Sequence, residues 1–193
     1  MLATQFRDIF SALAAGVSVI TFDAGGHVHG FTATSLTPVS LMPPLALFCV
    51  ARSSRSGASL SHGKMIGISI LGETQRHVSR RFSEQAKPGS YRDITVRRNE
   101  DGVPVVSGAN ATIEARIANI YPAGDHLICV CELKSGCLTQ ADEPLLYFSR
   151  RYHGVSVLPE LETERELAPQ KEEVEEAAVC GDSDGRVQGR RAC

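Results

Sequence analysis

The chain of 193 residues contains no tryptophan, and only seven phenylalanines and four tyrosines. That leaves little for the aromatic platforms on which proteins stack single-stranded nucleic acid. A formal net charge of −2 provides no basic field to draw nucleic acid or an anionic membrane. No apolar run reaches the ~20 residues of a membrane-spanning helix. The first residues lack a basic segment followed by a continuous apolar one, so no secretory signal is expected. Neither a Walker phosphate loop nor the glycine fingerprint of dinucleotide-binding folds occurs. The six cysteines lack metal spacing. Cys129 and Cys131, one residue apart, would share a strand face, and no His/Cys pair follows them. Together with Cys49 and Cys137 they lie in or near apolar segments, where cysteine acts as a small hydrophobe. His27, His29, His62, His77 and His153 are scattered. No metal site is expected, and the thiols read as reduced, in a cytoplasmic protein.

What is present is the make-up of an ordinary globular domain, 42% hydrophobic and 22% charged. Gln5 to Ala14 reads as a short amphipathic helix, with Phe6, Ile9, Phe10 and Leu13 on one face and Gly16 as its stop. Val17 to Phe22 and His27 to Thr34 read as a hairpin around Asp23-Ala24-Gly25-Gly26. Leu45 to Val50 is a continuous apolar run, the pattern of a strand covered on both faces. A polar loop from Ala51 to Ser56, a short helix at Gly57 to His62, a strand at Met65 to Leu71 and a helix at Glu73 to Phe82 follow. After a loop at Lys87 to Tyr91, two long strands, Ala111 to Ile120 and His126 to Thr139, flank a turn at Tyr121 to Asp125. Pro144 to Phe148 is a last short strand. From 159 to 193 the chain is glutamate-rich without apolar periodicity, and is expected to be a mobile acidic tail beyond a domain at 1–158. Helices are too sparse for a doubly wound parallel sheet. An antiparallel, closed or partly closed β-barrel is expected.

Three stretches carry chemistry. Gly30 to Pro44 combines small residues with hydroxyls. Ala33 would let the backbone approach a planar ring, while Thr32, Thr34 and Ser35 would supply hydrogen bonds. Taken alone, it is more simply a Thr/Ser-rich strand with ordinary cross-strand pairs. Ala51-Arg52-Ser53-Ser54-Arg55-Ser56 could hold a phosphate, or be a solvated loop with a helix cap. His126, entering a strand after Gly124-Asp125, could face a pocket as a donor or proton carrier, or be a structural histidine. Arg76, Arg80 and Arg81 could be a solvated helix face.

These pieces, in order, resemble the flavin reductase-like family, whose fold is the FMN-binding split β-barrel: antiparallel, Greek-key, with a few short flanking helices. The pieces are Gly16-Val17, Gly30 to Ser35, Val39 to Pro44, Cys49 to Ser56, Ser79-Arg80-Arg81-Phe82, Gly124-Asp125-His126 and Pro144 to Tyr147. The resemblance covers roughly residues 5 to 155. Tyr121 to His126 is especially similar to the short reductases of two-component flavin monooxygenases, including those of aromatic polyketide pathways.

The resemblance implies an NAD(P)H:flavin oxidoreductase that passes hydride from NADH or NADPH to FMN, with FAD as an alternative acceptor. The usual state would be a homodimer with the flavin near the interface, and the product, diffusible reduced flavin, would go to a partner monooxygenase. It implies that Thr32, Ala33, Thr34 and Ser35 hold the flavin ring. Cys49, Val50 and Ala51 would line the ring and ribityl chain. Ser53, Arg55 and Ser56 would engage the phosphate region, with Arg81 and Phe82 on the same side. His126, and also Tyr147 or Tyr152, would lie on the nicotinamide side. A non-enzymatic FMN-binding electron carrier or sensor on the same fold is the alternative.

Overall fold

The hairpin expected at Gly25-Gly26 forms because both glycines take positive φ, 57° and 77°, which the right-handed twist of paired strands favours at a two-residue turn. It joins β2 (Ser18–Ala24) to β3 (His27–Ala33), after α1 (Ala3–Phe10) and β1 (Ala15–Gly16). The remaining elements are β4 (Thr37–Leu41), β5 (Pro44–Ala51), α2 (Arg55–Ser59), β6 (Met65–Ile70), a 3₁₀ turn (Glu73–Gln75) and α3 (Arg76–Ser83). These lead into β7 (Val96–Arg98), β8 (Pro104–Val106), β9 (Ala111–Ala123), β10 (His126–Leu138), β11 (Leu146–Phe148) and β12 (Arg151–His153). The computed structural model describes residues 2–84, 91, 93–98, 102–139 and 142–156. The acidic segment expected at 159–193 lies outside them, as do residues 87–90 of the expected loop.

Seven strands form one sheet in the order β3-β2-β6-β9-β10-β5-β4, every neighbouring pair antiparallel. The sheet curls until Phe31 on β3 meets Phe48 on β5, ring centroids 5.8 Å apart. The two strands are not hydrogen-bonded neighbours, so the barrel is split along this seam. Its inside is filled by Ile20, Phe22, Phe48, Ile66, Ile68 and Ile117, with Cys129 and Cys131 facing the same core. A second cluster, with Val19, Leu71, Val78, Phe82 and Leu145, seats α3 against the outer side of β2. The mainly-β antiparallel barrel with short helices is the expected fold class.

Several local expectations change. β5 is not covered equally on both faces: Ala46, Phe48 and Val50 are buried while Leu45, Leu47, Cys49 and Ala51 are half-buried. A strand in a closing sheet has one inner face, and its period of two sorts the residues accordingly. α1 ends at Phe10 rather than Ala14. The Ser11 hydroxyl bonds back to the Asp8 carbonyl at 2.7 Å, which offers the backbone an alternative to another helical turn. Gly16 does not stop a helix; it pairs with Leu146 in a small β1-β11-β12 sheet. Of that sheet only β11 was expected, as the strand at Pro144 to Phe148; β12, the pairing with β1 and the β7–β8 pair were not. The apolar residues of α1 and the segment after it stay largely open to solvent: Phe6, Ile9, Phe10 and Leu13 are 47%, 56%, 54% and 64% exposed.

Candidate functional site

The split between β3 and β5 opens a cleft of about 270 Å³. One end is built where β5 stops. The chain turns at Ala51, whose carbonyl accepts hydrogen bonds from the Ser54 amide (3.1 Å) and hydroxyl (2.7 Å). The same hydroxyl oxygen caps α2 by accepting from the Gly57 amide at 2.9 Å. This fold-back puts Ser54, Arg55 and Ser56 in the cleft wall next to Cys49, Val50 and Ala51. Ser53 is exposed and outside it; Ser54, one residue on, takes its place. A Ser-x-x-Gly cap pattern was the available signal.

The opposite wall is β3 with the end of α3. Gly30 lies where a β-carbon would come within 2.7 Å of the Ile20 carbonyl and 2.8 Å of the Phe82 ring, so only glycine lets the ring this close. Phe82 stacks on Tyr91 with centroids 4.1 Å apart. The Tyr91 hydroxyl donates to the Gly30 carbonyl at 3.2 Å. Burial pushes the Tyr91 hydroxyl above its ordinary pKa, against the opposing charges of Arg55 and Arg81. Tyr91 was not singled out from the sequence; it reaches the cleft from a loop with no local signal.

Thr32 is shared between this cleft and an adjoining recess of about 210 Å³, where Thr34, Tyr147 and Tyr152 also lie. The Thr32 hydroxyl donates to the Ser79 carbonyl at 2.6 Å, and the Ser79 and Tyr152 hydroxyls are 2.9 Å apart. The side chain of Ala33 points instead into the barrel core, 5% exposed, because it is out of phase with Thr32 along the strand. Ser35 accepts a hydrogen bond from the Cys49 amide at 2.9 Å, tying the segment after β3 to β5. Arg81 does not line the cleft, and contacts Glu84 and Asp93 at 3.3 Å each.

His126 opens β10, paired in register with Ala51 of β5, and lines the cleft. Its Nδ1 is 2.7 Å from the Asp125 carboxylate. That bond, and the charge behind it, hold the Asp125 carboxyl below its ordinary pKa. Burial raises the Cys129 and Cys131 thiols to about 11, so they are inert core groups. Among the described residues, no three His, Cys, Asp or Glu side chains gather to hold a metal ion. No helix there is long and apolar enough to cross a membrane.

The fold and cleft define a split antiparallel barrel with a hydroxyl- and arginine-bearing end, small residues along the seam and an imidazole at its rim. The family model described as "Flavin reductase like domain" matches residues 10–156, and the chain belongs to that family, one of oxidoreductases. A protein of Rhizobium meliloti (strain 1021) named "Probable flavin reductase" is 42% identical over 125 residues, covering 64% of this chain but only 40% of its own length. The NADH:FMN oxidoreductase of Rhodococcus qingshengii is 32% identical over 155 residues, covering 78% of this chain and 81% of that one. Among solved structures, the Streptomyces globisporus C-1027 NADH:FAD oxidoreductase SgcE6, in complex with NAD and FAD fragments, superposes with a TM-score of 0.74 at 29% identity. It covers 79% of this chain and 92% of that one.

Proposed function

We propose that the chain is a flavin reductase that passes hydride from NADH to FMN in the β3–β5 cleft and supplies reduced flavin to a partner monooxygenase. The observation that carries this reading is the convergence on one cleft of Thr32, Cys49, Val50, Ala51, Arg55, Ser56, Phe82 and His126, drawn from five elements. The donor set fits the ligand. A guanidinium and hydroxyls at one end suit a phosphate, and the backbone of β3 at the sheet edge and of β5 beyond its pairing with β4 suits a ring that both donates and accepts. Bound flavin supplies the redox chemistry by accepting hydride from reduced nicotinamide.

The chain's own residues bind and orient. Arg55 and Ser56 hold the phosphate, with Phe82 in the wall of the same cleft. Cys49 to Ala51 line the ring and ribityl chain. The Thr32 hydroxyl donates its hydrogen bond to the Ser79 carbonyl, so it faces the ring as an acceptor. Ser35 accepts from Cys49, which leaves its own proton to donate. Ala33 contributes backbone alone. His126 stands on the nicotinamide side, and Thr34, Tyr147 and Tyr152 form the recess next to it. Ser54, which lines the cleft, takes the place expected of Ser53, and the Arg81 guanidinium is engaged by Glu84 and Asp93.

NADH and FMN are favoured over NADPH and FAD by the name of the Rhodococcus relative, while the Streptomyces structure makes FAD the acceptor to test beside FMN. The activity resides in residues 1–158, and the free thiols suit a reducing, cytoplasmic setting. The exposed apolar stripe of α1 is best covered by a second copy of the chain. An apolar patch of this kind marks an interface, and a helix face is self-complementary about a two-fold axis. Phe6→Glu with Phe10→Glu should turn a dimer into a monomer by light scattering.

Anaerobic NADH oxidation with FMN, FAD and riboflavin as acceptors tests the activity. Turnover with FMN at the highest kcat/KM is expected. Flavin binding without turnover would instead establish the non-enzymatic carrier or sensor.

A further inference from the structure

The turn between β9 and β10 does more than bring His126 to the cleft. The Asp125 carboxylate lies 2.7 Å from His126 Nδ1. The turn itself is held from across the sheet: the Arg52 amide donates to the Asp125 carbonyl at 3.0 Å, and the Arg52 guanidinium to the Gly124 carbonyl at 3.4 Å. The backbone beneath the pair is therefore anchored to the same segment that leads into Ser54 and Arg55. The Asp125 side chain is 95% exposed, so it fills no space in the core and supports no other element.

We infer that Asp125 is a positioning residue that holds His126 in the Nδ1–H tautomer, so that Nε2 meets the substrate as a hydrogen-bond acceptor. The inference rests on the reading of His126 as a nicotinamide-side group. An ionised carboxylate only accepts, so the nitrogen bonded to it carries the proton. In the neutral ring the other nitrogen then has a lone pair. Asp125 engages Nδ1 alone, so Nε2 is the ring nitrogen left for a ligand of the cleft that His126 lines. The group it selects is an N–H or O–H donor, which the carboxamide of a nicotinamide supplies. The opposite tautomer would set a donor against that N–H and leave Nδ1 with a lone pair against a carboxylate.

Two measurements on the full chain test this. Long-range ¹H–¹⁵N spectra at alkaline pH read the tautomer of His126 directly. The Nδ1–H form is expected in the wild type, and a shift toward Nε2–H in Asp125→Ala. In kinetics, Asp125→Ala should lower kcat/KM for NADH about tenfold and leave flavin Kd unchanged. In a His126→Ala background the same change should alter kcat/KM by no more than about twofold, because the two residues act as one unit. Asp125→Asn, which keeps an acceptor, should recover part of the loss. An unchanged tautomer in Asp125→Ala, or an equal loss in both backgrounds, overturns the inference. If the wild type oxidises NADH with no flavin, the functional reading fails instead, and the spectra still decide the tautomer.

Discussion

Gly30→Ala tests whether the cleft depends on one close approach. The new methyl would lie 2.7 Å from the Ile20 carbonyl oxygen and 2.8 Å from the Phe82 ring, both well inside contact distance. The carbonyl belongs to β2, paired on both sides by β3 and β6, and cannot retreat. Phe82 must therefore move. It is 1% exposed and stacked on Tyr91, so the displacement passes to Tyr91 and to the hydrogen bond that Tyr91 makes with the Gly30 carbonyl. Overpacking of this kind costs about 2 kcal/mol. For a chain of this size that lowers Tm by about 4–8 °C. Because Phe82 and Tyr91 are cleft walls, FMN affinity should fall in the same variant. Phe82→Leu combined with Gly30→Ala should recover Tm, by removing the ring the methyl strikes, but not affinity. Calorimetry and flavin fluorescence titration read the two effects separately. A Gly30→Ala protein with wild-type Tm and wild-type flavin Kd would refute the reasoning.

Arg55→Ala should weaken FMN binding about tenfold while leaving riboflavin affinity unchanged, since only FMN carries the phosphate that a charge-assisted bond would hold; parallel fluorescence titrations compare them. Ser149 and Arg150, at the turn between β11 and β12, take φ of 50° and 60°, where an L side chain is strained by about 1–2 kcal/mol per residue. Ser149→Gly should relieve part of that against the greater freedom of the unfolded chain, raising Tm by about 2 °C in calorimetry. Alkylation followed by mass mapping at mildly alkaline pH should leave Cys129 and Cys131 unmodified and label the exposed Cys137. Their thiols stay protonated in the folded state up to about 11, against an ordinary 9.0. Their contribution to stability is therefore full below 9 and lost as pH rises toward 11, which denaturant titrations across that range would register.

The parts of the fold that could be read from the chain are those where periodicity decides the outcome. Val17 to Phe22, His27 to Thr34 and the two long strands around Tyr121 to Asp125 each repeat their pattern long enough to specify an element, and each forms within a few residues of where it was expected. Strands of two or three residues such as β1, β7 and β12 have no period to read; they exist because a partner across the chain supplies the ladder. Periodicity also says that a face is apolar, not what covers it. The stripe on α1 has the same spacing as a core helix and faces solvent within the described chain. The candidate site divides in the same way. Arg55, Ser56 and His126 sit next to turns whose local chemistry is explicit in the sequence. Tyr91 enters through a stack on Phe82 and a bond to Gly30 made 61 residues away, and nothing near it in sequence marks either contact.

Ala33 shows how a reading from residue type can be corrected by geometry already available in the sequence. A small residue in a Thr/Ser-rich stretch suggests room for a ring. But a strand alternates its faces, and Ala33 is out of phase with Thr32. Once β3 is placed at the seam with Thr32 toward the cleft and α3, Ala33 has to face the barrel. The structure buries it there, opposite Ser18 of β2. Close approach to the cleft is achieved instead at Gly30, two residues before Thr32 and therefore in phase with it. The space that lets Phe82 form the wall of the cleft is the hydrogen atom at that position, which is why the Gly30 substitution bears on stability and ligand affinity together.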